Sequence, residues 1–111
     1  MQYYYIFKAA FFKALAHPTR IEVLEQLRGG EQCVNDLQTA IGIDQSTVSQ
    51  QLALLRSRNI VESRKAGTSV YYRVRDPLIF QLLDSAREIC NDQLISTEEL
   101  LQQGAQNAAA R

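Results

Sequence analysis

Cys33 and Cys90 are the two thiols of the chain, and His17 is its single histidine. With Asp36 and Asp92 they are the candidate ligands for a metal, and the two thiols are the candidates for a thiol-reactive signal. Cys33 begins C-V-N-D just after Gly29-Gly30, at the expected start of a helix. A helix N-terminus favours a thiolate, the reactive and metal-binding form. Cys90 falls on an apolar stripe, where a free cysteine also packs as a small hydrophobe. A plain packing role is equally open for Cys33. His17 precedes Pro18 and reads as a cap or a surface residue. One histidine argues against a dedicated zinc cage. No nucleophile–base–acid set and no phosphate-binding glycine loop is present, so the chain does not read as an enzyme.

A second set of polar residues lies from Val34 to Leu55, V-N-D-L-Q-T-A-I-G-I-D-Q-S-T-V-S-Q-Q-L-A-L-L. It predicts two short helices joined by a tight turn at Gly42. The first, from about Val34 to Ala40, should bury Leu37 and Ile41. In the second, at ~100° per residue, Leu52 and Leu55 fall within about 40° of Val48 and form the core stripe. Ser46, Gln50, Ala53 and Ser57 then cluster on the opposite side, flanked by Thr47 and Ser49. Asp44 is placed to cap this helix, because its carboxylate accepts orphan backbone N–H groups. Asn59 is suited to the left-handed conformation that ends one. A helix that exposes Ser and Gln rather than long charges suits entry into a DNA groove. An ordinary helical hairpin is the alternative.

The next stretch narrows the choice. Val70, Tyr72 and Val74 alternate with Tyr71, Arg73 and Arg75, a period of two. Ile60 to Arg64 is a second β-prone run, and Lys65-Ala66-Gly67-Thr68 supplies the turn between them. The result is a hairpin directly after the polar helix, with Arg64 and Lys65 near its tip. The expected fold is therefore mainly α with a β-hairpin wing, a winged helix-turn-helix.

At this point the chain resembles the ArsR/SmtB family of bacterial repressors. The resemblance rests on L-A-H-P-T-R-I-E-V-L (Leu15 to Leu24), I-D-Q-S-T-V-S-Q-Q-L-A-L-L-R (Ile43 to Arg56) and V-Y-Y-R-V (Val70 to Val74), and it covers roughly residues 8 to 94. It implies a homodimer, joined through the first and last helices, that binds an operator palindrome. A metal ion, a thiol-reactive signal or another small effector would release it. Arsenic-sensing members carry C-V-C-D where this chain has C-V-N-D, so only Cys33 and Asp36 carry over. Zinc-sensing members use an Asp and His pattern along the last helix. Asp76 matches its start, but Leu78, Ile89 and Asp92 hold the later positions. Persulfide-sensing members pair a cysteine of helix two with one of the last helix; Cys90 matches the second, and helix two has none. Members often carry His beside the Gln pair, where Gln51 stands here.

Composition is consistent with these expectations. A chain of 111 residues is expected to form one domain, residues 1–103, followed by a disordered tail, 104–111. No apolar run reaches 18 residues, so no membrane span is expected. The N-terminal stretch reads as an amphipathic helix rather than a signal peptide, because Lys8 and Lys13 interrupt it. Two cysteines without a signal peptide fit a reducing cytoplasm. Net charge is zero but segregated: residues 44–75 hold six basic against two acidic residues, and the rest hold six against ten. Such segregation leaves a basic face on a neutral protein.

The remaining elements look like core and interface. Helix one, about Tyr3 to Ala16, carries Tyr4, Phe7, Phe11 and Leu15 at helical spacing. Helix two starts at Pro18, where a missing N–H costs nothing, and should bury Ile21, Leu24 and Leu27. A last helix opens at Asp76-Pro77, and Ser96-Thr97-Glu98-Glu99 could cap one more short turn.

The expected DNA contacts are Gln45, Ser46, Thr47, Ser49 and Gln50 on the helix, Arg56 beyond them, and Arg64, Lys65, Thr68 and Ser69 on the wing. The expected dimer interface contains Phe7, Phe11, Leu82, Ala86 and Ile89. The expected partners are double-stranded DNA and a second copy, with no membrane. No cofactor is certain; a soft metal ion or a thiol modification at Cys33 and Cys90 is the candidate signal. A non-metal, non-thiol effector and a protein-binding winged helix are the alternatives.

Overall fold

The computed structural model describes residues 2–109, without the side chains of 95–97 and 106–109. The chain divides into two units, residues 1–77 and 78–111. In the first, α1 (Gln2–Leu15) is followed by α2 (Pro18–Gln26), a single 3-10 turn (Leu27–Gly29), β1 (Gln32–Cys33), α3 (Val34–Ile41), α4 (Gln45–Ser57), β2 (Val61–Ala66) and β3 (Ser69–Val74). The second unit is one helix, α5 (Leu78–Ala109).

Each boundary has a local cause. His17 caps α2: its Nδ1 accepts the Thr19 N–H at 3.1 Å, and Pro18 takes the first helical position. Gly42 ends α3 in the left-handed region (φ 81°), with its N–H bonded to Gln38 O. At the end of α4, Asn59 has φ 60°; its N–H reaches Arg56 O and that of Ile60 reaches Leu55 O, both at 3.0 Å. That pair of bonds is a Schellman motif, with Asn in the place glycine usually takes.

The core of the first unit gathers Val23, Leu24 and Leu27 of α2 and its 3-10 turn, Leu37 of α3, Val48, Leu52 and Leu55 of α4, and Ile60 and Val61, with Ala14 and Leu15 at the end of α1. Spacing predicts Ile21 in this set, and it is 40% exposed instead. Two stripes along α2 satisfy the helical period equally. Packing selects Val23 and Leu24 because α2 faces both α3 and α4, which turns Ile21 toward solvent and Arg20 inward.

The sheet has three antiparallel strands in the order β1-β3-β2. Arg64 pairs with Tyr71 and Glu62 with Arg73 across the hairpin, while Cys33 pairs with Tyr71 on the other edge of β3. Strand β1 is absent from the sequence expectation, since two residues are too few to show a period. The expected four-residue turn is shorter in the structure. Lys65 and Ala66 belong to β2, and only Gly67 and Thr68 connect the strands. Gly67 has φ 63° at the first central position, which fits a type II′ turn matched to strand twist.

Helix α5 runs unbroken for 32 residues, about 48 Å at 1.5 Å per residue. The expected separate turn at Ser96 is part of this helix, and the side chains proposed to cap it, Ser96 and Thr97, lie outside the described residues. The helix also continues through Gly104 to Ala109, over residues whose composition suggests a disordered tail. Ala-rich sequence satisfies helical propensity even where it offers no side chain to anchor. Leu94, Leu100 and Leu101 are 57–69% exposed along it.

Candidate nucleic-acid interface

Helix α4 separates its two faces cleanly. Val48, Leu52 and Leu55 are fully buried, whereas Gln45, Ser46, Ser49, Gln50, Ala53, Arg56 and Ser57 are exposed. The N-terminus is locked by Asp44. Its carboxylate accepts the Thr47 N–H at 3.1 Å, the Ser46 hydroxyl at 2.5 Å and the Thr47 hydroxyl at 2.7 Å. Both hydroxyls therefore donate to the cap, and Thr47 is half-buried. Gln45, Ser49 and Gln50 make no side-chain hydrogen bond among the described residues, so their donors and acceptors stay available to a ligand.

Those hydrogen bonds hold the Asp44 carboxyl down from 3.8 to about 2, the Ser46 hydroxyl contributing most, followed by the hydroxyl and then the N–H of Thr47. A carboxylate that is more acidic folded than unfolded stabilises the fold above its unfolded pKa. That contribution fades as pH falls from 3.8 through about 2. Asp44→Asn should therefore be less stable than the parent at pH 7, and the gap between their urea midpoints should close on acidification through this window. A gap that stays constant across the window would mean that the charge of Asp44 does not hold the cap.

The wing divides its cations into two kinds. Arg64 Nε lies 2.7 Å from Glu31 Oε2, and its guanidinium carbon sits 5.0 Å from the Tyr71 ring centroid. Arg73 Nε lies 2.6 Å from Glu62 Oε1. The strand register puts Glu62, Arg64 and Arg73 on one face of the sheet, the face that also carries Cys33, and Glu31 meets Arg64 there. Lys65, like Arg56, Arg58 and Arg75, is exposed and has no ion-pair partner among the described residues. The basic patch read from the sequence is thus partly neutralised: two of its six cations are engaged by Glu31 and Glu62. Thr68 is exposed beside Gly67 at the tip, and Ser69 is half-buried.

Two contacts have no sequence signal. Glu31 reaches Arg64 across 33 positions, and Gln51 Oε1 accepts the Arg20 Nε–H at 2.8 Å across 31. Gln51 is half-buried by that bond and turned away from the face that holds Gln50.

The thiols behave differently from one another. Cys33 is half-buried at the N-cap of α3, and Cys90 is exposed on α5 within one chain; both are free. Among the described residues no group of three or more His, Cys, Asp and Glu comes together within one chain. For the expected interface residues, Phe7 is 77% and Ile89 59% exposed, Ala86 is exposed, and Phe11 and Leu82 are half-buried. No described helix is long and apolar enough to cross a membrane.

Comparison with known proteins adds to this geometry. Residues 17–63 match the family model described as bacterial regulatory protein, arsR family. The HTH-type transcriptional regulator NmtR of Mycobacterium tuberculosis is 46% identical over 78 residues, which are 70% of this chain and 65% of that protein. The chain thus spans just under two thirds of that relative's length. The uncharacterized HTH-type transcriptional regulator Rv0081, from the same organism, is 41% identical over 77% of this chain and 75% of its own length. Its crystal structure superposes with a TM-score of 0.75 at 39% identity, covering 83% of this chain and 93% of that one. The solution structure of the homodimeric winged helix-turn-helix DNA-binding domain of Mb0332 from Mycobacterium bovis gives a TM-score of 0.74 at 31% identity, over 84% of this chain and 86% of that one.

Proposed function

The chain belongs to the arsR family of bacterial regulatory proteins, and from that we propose that it is a cytoplasmic, homodimeric repressor that binds an operator palindrome and is released by an effector. The observation that carries this reading is α4: its apolar stripe is fully buried, and the opposite face presents Gln45, Ser49 and Gln50 unbonded to solvent. Gln pairs with adenine through two hydrogen bonds, and Ser accepts either base. Ser46 and Thr47 border this face and fix the first turn that enters the groove. Lys65, Thr68 and Ser69 meet phosphate or the minor groove at the flank, with Arg56 on the backbone beside the helix. Arg64 joins them by leaving Glu31 or works as a brace for the wing.

The exposed aromatic surface of α1, Tyr3 to Phe7, supports a second copy as its cover, since scattered single hydrophobes are ordinary but a contiguous patch marks an interface. The proposed interface holds Phe7, Phe11, Leu82, Ala86 and Ile89. A two-fold dimer presents its recognition helices about 34 Å apart, one turn of DNA. Cys33 and Cys90 are the proposed effector residues, as thiols open to modification or as soft-metal ligands completed by a donor from the partner chain. Their double substitution to Ser should keep DNA binding and lose the response to oxidant or thiophilic metal.

The test is a mobility shift on duplexes selected from a random pool, run at two salt concentrations, together with light scattering. Steep loss of affinity with salt and a dimer at micromolar concentration are expected. A monomer, or binding indifferent to salt, would count against the reading. Within it, Lys65→Ala should weaken binding to all sequences alike and flatten the salt slope by about one. An unchanged slope would place the wing off the DNA.

A further inference from the structure

We infer that Arg20 is the positioning residue of the recognition helix: through Gln51 it holds α4 in the rotation that aims Ser49 and Gln50 at the bases. This rests on the DNA-binding reading and deepens it. The guanidinium of Arg20 reaches two other helices. Its Nε donates to Gln51 Oε1 at 2.8 Å, and its Nη1 donates to Ala14 O at 3.0 Å and to Lys13 O at 3.4 Å. Those carbonyls belong to the last turn of α1, where the helix dipole favours a cation; Lys13 O also accepts the Ala16 N–H at 3.1 Å, so Ala14 O is the main anchor. One side chain on the first turn of α2 therefore ties the end of α1 to the middle of α4.

The contact is directional. Arg20 and Lys13 line a cleft together with Arg58 among three alanines and Leu54, and no carboxylate lines it. Arg20 is consequently held by the dipoles of oxygen atoms at set angles rather than by a counter-charge. The apolar stripe of α4 fixes which side of the helix is buried, but apolar packing is not directional, and it tolerates a small roll about the helix axis. The planar fork of Arg20 does not, because its donors must lie along the guanidinium plane. Gln51 and Gln50 are adjacent, about 100° apart around the helix. Fixing the first inward thus fixes the second outward.

The test compares affinity for a duplex selected from a random pool by the parent protein with affinity for a scrambled duplex of the same length. Arg20→Lys keeps the charge but cannot span both partners. Gln51→Met keeps the size of the side chain and removes the acceptor, while leaving Arg20 bound to α1. Each variant should lower the ratio of the two affinities by about tenfold, the discrimination that one misaligned base contact carries. Affinity for the scrambled duplex and the salt slope should not change. The double variant should lose no more than either single one, as expected for two ends of one contact. An unchanged ratio in Gln51→Met, the variant less disruptive to folding, overturns the proposal. So does an equal loss on both duplexes with a flatter salt slope, which would make Arg20 a phosphate contact. Failure of the parent protein to prefer any duplex would instead remove the DNA-binding reading beneath it.

Discussion

Leu52→Ala is expected to lower the free energy of unfolding by about 2–5 kcal/mol, the cost of lost burial plus the cavity left behind. Leu52 has no exposed surface and lies between Val48 and Leu55 on the buried stripe of α4. That stripe packs against α2, α3 and the start of β2, so a cavity there has rigid elements on several sides and little room to collapse. The readout is the urea midpoint at fixed protein concentration, with an unchanged slope. A small domain has only about 5–15 kcal/mol in all, so the change removes a large share of its stability. The fraction that remains folded should bind DNA as the parent does, since Leu52 lies on the buried side of α4. A loss below about 1 kcal/mol, smaller than a buried Leu truncation yields, would mean that the helix is not anchored by this stripe.

Gln50→Ala should weaken binding to a selected operator by about 1–3 kcal/mol and relax preference at one base position. The side chain is exposed on the outer face of α4 and unbonded within the described chain, so its truncation costs the fold little. Affinity for random DNA should barely move, because phosphate contacts carry that binding. A competition shift with operator and scrambled duplexes reads both quantities. Equal loss on the two would mean that Gln50 does not read bases. Together with the Leu52 variant, this separates the two faces of one helix: one change alters stability, the other alters recognition.

Much of the site is legible in the order of the residues alone. The caps at His17 and Asp44, the left-handed ends at Gly42 and Asn59, and the buried set Val48, Leu52 and Leu55 all follow from contacts within a few residues. Local chemistry of that kind is encoded where it acts. The stripe of α2 is legible only in part, since Ile21 and Val23 are equally good by spacing. Cys90 shares a helical stripe with apolar neighbours, which suggests packing, and it is exposed on α5. A helical period says which residues share a face, not whether a neighbour covers it.

What the sequence by itself determined was the order of elements and the two-faced character of α4, because period, capping and turn chemistry are short-range. Only the tertiary structure decided which cations remain available and which glutamine is held. Arg64 and Lys65 are neighbours with equal formal charge, yet Arg64 is held by Glu31 and Tyr71 whereas Lys65 is unpaired among the described residues. Gln50 and Gln51 are identical in type, yet one faces solvent and the other binds Arg20. Glu31 and Arg20, which make these distinctions, are more than 30 positions away. No local pattern records them, because an ion pair or hydrogen bond depends on where the folded chain brings two groups together.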